Sequence, residues 1–203
     1  ILALRTKPFL LLAGISDTGK SRIVREFAFK SCPDYLRDKD GTTPGNYCMI
    51  EVKPNWHDST ELLGYWSNIN KRYMFTKFVK FLVKAEMFPK VPFFVCLDEM
   101  NLAPVEQYFA EFLSVVESRK VDKDGNVVTD PLVDYSSTEE YKSLIDQLFC
   151  DDIERNAYLT EVGGKRLTIP QNLIVVGTVN MDETTFSFSR KVLDRAMTIE
   201  MNE

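Results

Sequence analysis

The chain has little of several features that identify common classes of protein. Among its 203 residues there is one histidine, His57, and the four cysteines form no C-x-x-C pair. A single histidine gives poor support to a multi-histidine metal site or a charge-relay hydrolase. The widely spaced Cys32, Cys48, Cys96 and Cys150 favour free thiols in a reducing cytoplasm over a disulfide framework or a zinc site.

Long apolar runs and an excess of basic residues are also missing. The longest apolar runs fall well short of the roughly 18 residues that span a membrane, so we expect no membrane partner. The formal net charge of −5 lacks the overall basic footprint of a non-specific nucleic-acid binder, while leaving room for local basic surface. The chain begins at Ile1 with neither Met nor a signal-peptide pattern, which predicts a piece of a longer protein. Its 203 residues are enough for one large domain with a sizeable core, and its hydrophobic content of 44% is ordinary for a globular protein.

The most informative stretch is residues 14–21, which read G-I-S-D-T-G-K-S. It follows an apolar run at 8–13, typical of a buried parallel strand, and precedes residues 22–30, which have helical spacing. Strand, G-x-x-x-x-G-K-S and helix form a P-loop in its required setting. Backbone N–H groups and the helix N-terminus would hold phosphate, Lys20 would reach the β- and γ-phosphates, and Ser21 would hold Mg²⁺. The alternative is a glycine-containing loop that matches by chance.

A pair of acidic residues follows another buried strand. Residues 91–97 are apolar throughout and lead to Asp98 and Glu99, as in a Walker B motif. Because ligands of open α/β sheets lie beyond the carboxyl ends of the strands, these carboxylates should face the P-loop. Asp98 would hold Mg²⁺ directly or through water, and Glu99 would orient or polarise the attacking water. The alternative is that the two acids cap the next helix.

Two further strands are predicted near the end of the chain. Residues 173–178 form an apolar run that leads to Asn180, whose amide could bond both the γ-phosphate and the attacking water. Residues 197–201 predict the last strand, and three cations come shortly before it: Arg190, Lys191 and Arg195. One of them could serve a neighbouring subunit's nucleotide, or all three could lie on a solvated face.

The remaining segments predict one more strand, several helices and an insertion. The second strand is predicted over 47–52, and apolar spacing predicts helices over 72–86, 104–119 and 187–193. Residues 56–66 predict a loop or short helix, in which Tyr65 and Trp66 either pack or, if exposed, grip a partner. The alternation breaks over 120–168, which we interpret as an insertion with three parts: a hairpin turning at 124–126, a helix over 137–152 and a turn at 163–164.

The order of these motifs resembles the AAA+ ATPase core. Residues 97–103, L-D-E-M-N-L-A, then a helix and an insertion, resemble the AAA+ clade with extra hairpins around its second helix. Residues 169–182 and 58–66 are similar to the McrB family, the GTP-hydrolysing motor subunits of modification-dependent restriction systems. The resemblance covers nearly the whole chain. It implies an α/β fold over residues 1–203, a three-layer αβα P-loop NTPase with a central parallel five-stranded sheet and a hairpin and helix insertion.

The resemblance also implies a site and its partners. Ser21 and Asp98 would hold Mg²⁺, Glu99 would be the catalytic glutamate, Asn180 the first sensor, and Arg195 an arginine finger acting across a ring interface. GTP or ATP would be the substrate. The nucleotide would contact the loop and the start of the helix: Gly14, Ile15, Ser16, Asp17, Thr18, Gly19, Lys20, Ser21 and Arg22. The family further implies a cytoplasmic homo-oligomeric ring, a hexamer, that contacts DNA in the full-length complex and feeds an McrC-like nuclease.

Three departures from the family pattern qualify this hypothesis. Asp17 stands where AAA+ loops usually carry glycine, and a carboxylate beside phosphates weakens binding unless it points away. Residues 180–184, N-M-D-E-T, differ from the McrB signature Met-Asn-x-x-Asp-Arg. No segment resembling the helical lid or a DNA-recognition domain is present. Two alternatives therefore stay open: a protein-remodelling ATPase of the MoxR or midasin type, and a nucleotide-gated scaffold with weak or no hydrolysis.

Overall fold

The computed structural model describes most of the predicted core. The described residues are 9–16, 18–123, 125, 127–134, 144–149, 155–156, 166–181 and 187–201. Asp17, Cys150 and most of the predicted helix over 137–152 lie outside them, as does the predicted turn at 163–164. Every helix in the described part of the chain is too short or too polar to span a bilayer.

The described elements include both strands and helices. The strands are β1 (Phe9–Gly14), β2 (Tyr47–Glu51), β3 (Gly64–Ser67), β4 (Arg72–Phe75), β5 (Phe93–Asp98), β6 (Lys120–Val121), β7 (Val127–Val128), β8 (Val133–Asp134), β9 (Arg166–Leu167), β10 (Leu173–Asn180) and β11 (Ala196–Met201). The helices are α1 (Lys20–Ser31), α2 (Thr60–Leu63), α3 (Lys77–Met87), α4 (Val105–Tyr108), α5 (Ala110–Glu117) and α6 (Arg190–Leu193). Residues 144–148 are also helical, and 3₁₀ turns span Asp34–Leu36 and Met100–Leu102.

A five-stranded parallel sheet organises these elements. Its strand order is β11-β1-β10-β5-β2, and every neighbouring pair runs parallel. The central strands are apolar almost throughout because helices cover both faces of a parallel sheet. All five predicted strands are therefore confirmed, with ends within about two residues of the predicted ones.

Successive side chains of a strand point to opposite faces of the sheet, so the buried residues of each strand are divided between two cores, one on each face. On one face, Leu12, Cys96 and Val176 pack with Val24 of α1. The larger core, on the other face, includes Leu11, Val95 and Val175 with the buried side chains of α3, α4 and α5. The result is the predicted three-layer arrangement, with helices on both sides of the sheet.

The prediction of one helix over residues 72–86 is wrong. Residues Arg72–Phe75 instead form β4, which pairs antiparallel with β3. Helix α3 begins only at Lys77, because the Thr76 hydroxyl caps it by accepting the Val79 N–H at 3.4 Å. The apolar spacing that suggested a longer helix counted Phe75, which lies before this cap and belongs to the strand.

Two other helices are shorter than predicted. The helix expected over 104–119 divides into α4 and α5 at Phe109, whose φ of −104° and ψ of 3° are not helical. The helix expected over 187–193 is only the four residues of α6. In the insertion, the predicted hairpin is confirmed, since β6 and β7 pair antiparallel around a turn in which Gly125 has a φ of 82°.

Candidate active site

The carboxyl ends of three sheet strands meet at one edge and carry the predicted polar residues. In the parallel register, Gly14 at the end of β1 is level with Asn180 at the end of β10. Gly177 of β10 is level with Leu97 of β5, which places Thr178 beside Asp98. The sheet thus brings the P-loop, the acidic pair and Asn180 to one place.

The P-loop needs its two glycines for different reasons. A Cβ at Gly14 would lie 2.8 Å from the main-chain oxygen of Met201, so the strand end has no room for a side chain. Gly19 has a φ of 73°, the left-handed conformation that glycine adopts without strain, and it directly precedes α1. Together they let the loop curl tightly into the helix N-terminus, which is the geometry that phosphate binding requires.

Lys20 lies inside this curl. Its side chain is buried, and its Nζ donates to the carbonyl oxygens of Gly14 at 3.1 Å and Ile15 at 2.6 Å. The ammonium also lies 3.2 Å from the Thr18 hydroxyl oxygen, which itself donates to the Ile15 carbonyl. The cation is therefore held at the centre of the loop. Arg22 is exposed on the first turn of α1, and Asp17 lies outside the described residues.

Asp98 is the centre of a hydroxyl and carboxylate cluster. The Ser21 hydroxyl donates to Asp98 Oδ1, and the Thr178 hydroxyl donates to the same oxygen at 2.8 Å. Hydroxyl and carboxylate oxygens are the ligands that Mg²⁺ prefers, and Mg²⁺ sites commonly use one or two protein groups together with substrate phosphates. Among the described residues, no group of three or more His, Cys, Asp or Glu side chains could hold a metal by itself. The donor set at Ser21 and Asp98 fits Mg²⁺ bound together with a phosphate.

Glu99 has an unusual backbone conformation. Its φ of 53° and ψ of 49° are left-handed, which costs about 1–3 kcal/mol when the residue is not glycine. The Glu99 N–H donates to the Thr178 hydroxyl oxygen at 2.9 Å, and Asn180 Nδ2 donates to Glu99 Oε1 at 3.1 Å. Strained residues held by their surroundings are concentrated at functional sites, so this conformation marks Glu99 as a functional candidate.

Thr178 is a residue of this site that sequence reasoning missed. It is 2% exposed, and its single hydroxyl contacts Asp98 and the Glu99 main chain at once. The one sequence signal for Thr178 is its position two residues before Asn180, on a predicted strand that lies beside β5. The register that places it beside Asp98 is a property of the folded sheet.

Arg195 does not join the other predicted residues. It immediately precedes β11, whose first residue, Ala196, is level with Phe9 at the amino end of β1. The site lies at the opposite edge of the sheet, about 17 Å away for five residues of strand. The Arg195 guanidinium is paired with the Glu117 carboxylate at the end of α5 and donates to the Lys191 carbonyl. Arg195 therefore cannot reach the P-loop of its own chain.

The Cys96 thiol, next to the acidic cluster, is expected to be unreactive. Burial, together with the nearby negative charge of Asp98, raises the pKa of Cys96 to about 12. Burial likewise raises the pKa of Cys48 to about 11. Cys32, Cys48 and Cys96 are buried free thiols, in agreement with the sequence prediction. A neutral, buried thiol is not a nucleophile, so the chemistry of this edge comes from its oxygen and ammonium groups.

A separate cleft of about 400 Å³ lies beside β2. Its walls include Glu51, Lys53, Trp56 and Lys77, with the start of α3 on one side. None of the predicted nucleotide-binding or catalytic residues lines it. The candidate site is instead the open edge formed by the P-loop and the ends of β5 and β10.

Comparison with known proteins finds no matching family model and no matching curated protein. Among solved structures, a proposed ATPase from Cytophaga hutchinsonii is 16% identical to this chain, and the two align with a TM-score of 0.48. The alignment covers 100% of this chain and 44% of that protein. PCH-2 of C. elegans is 15% identical, with a TM-score of 0.33, over 95% of this chain and 34% of that one. The chain thus spans less than half the length of either protein.

The class of fold follows from the structure itself. A P-loop follows β1, an acidic pair follows β5, and the five parallel strands have the order β11-β1-β10-β5-β2 between two helical layers. This is the α/β P-loop NTPase fold of the AAA+ type, as the sequence predicted.

Proposed function

We propose that this chain is the nucleoside-triphosphate-hydrolysing core of an McrB-like AAA+ motor. The motor assembles as a homo-oligomeric ring and moves DNA for a partner McrC-like nuclease. The observation that carries the hydrolysis proposal is the hydrogen-bonded series from Ser21 through Asp98 and Thr178 to Glu99 and Asn180. The McrB assignment is supported by the resemblance of residues 169–182 and 58–66.

Substrate binding falls to the loop and Lys20. The N–H groups of the loop and the first turn of α1 face the phosphates. Lys20 exchanges its bonds to the Gly14 and Ile15 carbonyls for bonds to phosphate oxygens, which are better partners because they are charged. Ser21 and Asp98 would hold Mg²⁺, which when bound would supply positive charge beside the phosphate oxygens. These contacts read phosphates and not bases, so ATP and GTP are both candidate substrates.

Glu99 is the residue that would activate the attacking water. Asn180 fixes Oε1 of this carboxylate, which leaves the second oxygen to accept a hydrogen bond from the attacking water. The left-handed backbone and the Thr178 contact fix the direction in which the side chain leaves the strand. A carboxylate held in one position by two groups is suited to orient a water for attack on the terminal phosphate.

The direct test is hydrolysis by the full-length protein. Phosphate release from ATP and from GTP is measured with and without DNA and the partner nuclease. We expect hydrolysis of at least one nucleotide, stimulated by DNA together with the nuclease. Nucleotide binding without turnover under all conditions would indicate a nucleotide-gated scaffold. Stimulation by protein clients instead of DNA would indicate remodelling of the MoxR or midasin type.

Replacing Thr178 with valine is expected to weaken both the fold and the activity. Valine keeps the shape but removes the hydroxyl, so the Glu99 N–H loses its acceptor and Asp98 loses a donor. We expect the free energy of unfolding to fall by about 1–3 kcal/mol, the cost of a buried unsatisfied polar group. We expect kcat to fall by about tenfold to a hundredfold, as for other groups that support metal ligands. Denaturant unfolding and steady-state kinetics measure the two effects.

Two further substitutions make this prediction specific. Thr178→Ser keeps the hydroxyl and should retain most of the activity. Thr198→Val, at an exposed position on β11, should change neither quantity. Equal loss of activity in the serine and valine variants would show that the hydroxyl is not the group that matters.

A further inference from the structure

A buried tyrosine holds the turn that follows Glu99. Tyr108, the last residue of α4, is fully buried, and its hydroxyl donates to the Met100 carbonyl at 2.9 Å. Burial raises the pKa of Tyr108 well above its ordinary value, so the hydroxyl keeps its proton and remains a hydrogen-bond donor. Met100 directly follows Glu99, so the phenol holds the chain one residue away from the candidate catalytic carboxylate.

The ring of Tyr108 is itself fixed by other aromatic side chains. The Trp56 ring meets it edge-on, with the two ring centroids 5.2 Å apart, and the Phe109 ring centroid is 6.2 Å away. Both of these neighbours are buried. A side chain whose rotamer is locked by packing can hold a partner in one position, so the Tyr108 hydroxyl is a fixed anchor for the Met100 carbonyl.

Strand β10 holds the same turn through different contacts. The Met100 side chain is buried, and a Cβ on Gly177 would lie 2.5 Å from Met100 Sδ, so this side chain fills the space that the glycine leaves open. Gly177 directly precedes Thr178, whose hydroxyl accepts the Glu99 N–H at 2.9 Å. The Glu99 carbonyl accepts the Leu102 N–H at 2.9 Å, which closes the turn. The turn is therefore held both by β10 and by α4.

These contacts bear on the strained backbone of Glu99. A left-handed conformation at a residue other than glycine persists only when the surrounding structure holds it. The backbone angles of Glu99 set the direction of the chain that follows, so a change to a right-handed conformation would move Met100 out of its place. That movement would break the bond from the Tyr108 hydroxyl and the packing of Met100 against Gly177. The Tyr108 hydroxyl thus adds to the free-energy cost of relaxing Glu99.

We propose that Tyr108 is a positioning residue for hydrolysis, which keeps the Glu99 carboxylate directed at the attacking water by holding the Met100 carbonyl. It acts through the backbone of Glu99 and not by contact with the nucleotide. The Thr178 hydroxyl holds the N–H of Glu99, and the Tyr108 hydroxyl holds the carbonyl of the next residue, so the strained residue is held on both sides along the chain. The inference rests on the proposed function, in which Glu99 activates the water.

The test compares Tyr108→Phe with the parent in the full-length protein, under the conditions that give the fastest hydrolysis. Phenylalanine keeps the ring contacts with Trp56 and Phe109 and removes only the hydroxyl. We expect kcat to fall by about fivefold to tenfold, the factor that one hydrogen bond commonly contributes, with KM for the nucleotide unchanged. Amide hydrogen exchange over residues 99–102 should become faster, because the turn opens more readily.

A double-mutant cycle distinguishes action through Glu99 from any other route. In a Glu99→Gln background, Tyr108→Phe should cause little further loss of hydrolysis, because the charge that the tyrosine positions is already gone. Losses that multiply would show that Tyr108 affects hydrolysis independently of Glu99, and they would overturn the proposal.

Two controls separate positioning from a loss of stability. Replacing Tyr108 by para-aminophenylalanine returns a donor to the same position and should restore most of the parental kcat. Val91→Ala shortens a buried side chain just before β5, at the opposite edge of the sheet, and should lower the melting temperature without lowering kcat.

Three outcomes of these experiments would contradict the proposal. They are a parental kcat in Tyr108→Phe, slow hydrolysis by the para-aminophenylalanine variant, and an equal loss of kcat in Val91→Ala. The last would mean that activity follows stability alone. Absent hydrolysis in the parent would instead contradict the proposed function, so failure of the two ideas can be told apart.

Discussion

Replacing Glu99 with glutamine should slow hydrolysis by about a hundredfold to ten-thousandfold, the usual contribution of a general base. Glutamine has the same shape and can still accept the hydrogen bond from Asn180, which reaches Oε1 at 3.1 Å in the native chain. What it lacks is the negative charge that orients and polarises the water. Single-turnover phosphate release measures the effect, and titration with a fluorescent nucleotide should show unchanged affinity.

The matched control for this substitution is Glu106→Gln. Glu106 is an exposed carboxylate at the start of α4, so its neutralisation changes the net charge by the same amount away from the site. We expect that variant to hydrolyse like the parent. Parent-like hydrolysis by Glu99→Gln would show that Glu99 is not the base. A loss of nucleotide affinity in that variant would show that Glu99 shapes the phosphate site instead.

The sheet could be predicted from the sequence because its strands are buried on both faces. Runs such as residues 173–178 are apolar without interruption, and few other structures accommodate such runs between helices. Ligands of open α/β sheets bind beyond the carboxyl ends of the strands, and this rule places Asp98, Glu99 and Asn180 together without any knowledge of distances. The contact of Asn180 with Glu99, between residues 81 apart in the chain, agrees with that rule.

The hairpin formed by β3 and β4 could not be predicted in the same way. Residues 72–75 continue the apolar spacing of α3, so a period of 3.6 fits the whole segment. The strand forms because Gly64 has a φ of 121° and a close approach to Met74, whose carbonyl oxygen would lie 2.3 Å from a Cβ there. Strand β3 lies close enough in the chain to pair with residues 72–75, and this pairing outweighs their helical spacing. The periodicity of one segment contains no information about such a partner.

Thr178 and the backbone of Glu99 show a second limit of prediction from sequence. The hydroxyl acts on Asp98 because two strands whose residues lie 80 apart in sequence adopt one particular register. The left-handed conformation of Glu99 depends on the same hydroxyl and has no residue-type signal, since glutamate rarely adopts it. Sequence patterns therefore pointed to the candidate reactive groups but not to Thr178, which contacts two of them.

Replacing Arg195 with alanine is expected to reduce hydrolysis by about 10³-fold or more, the effect of an arginine finger in other nucleotide hydrolases. The reason is geometric, because Arg195 lies at the amino end of β11, at the opposite edge of the sheet from its own P-loop. Under the proposed function, Arg195 can therefore act only on the nucleotide of a neighbouring subunit. Phosphate release by the assembled full-length protein measures the loss, and nucleotide affinity should change little.

A structural explanation for that loss must be separated from a catalytic one. Arg195 is paired with Glu117, whose side chain is 56% exposed, so breaking the pair should cost about 1 kcal/mol or less. Glu117→Gln breaks the same pair but keeps the guanidinium, and we expect that variant to assemble and hydrolyse at least as fast as the parent. A Glu117→Gln variant as inactive as Arg195→Ala would assign the effect to folding.

Mixing two inactive variants tests the action between subunits directly. In a ring that combines Arg195→Ala and Glu99→Gln subunits, some interfaces join an intact Glu99 to an intact Arg195 from the neighbour. Hydrolysis should therefore return on mixing, although each variant alone is inactive. If Arg195 acted within its own chain, every subunit of the mixture would lack one essential group and no activity would return. Restored hydrolysis would thus support the proposal that each site is built from two subunits.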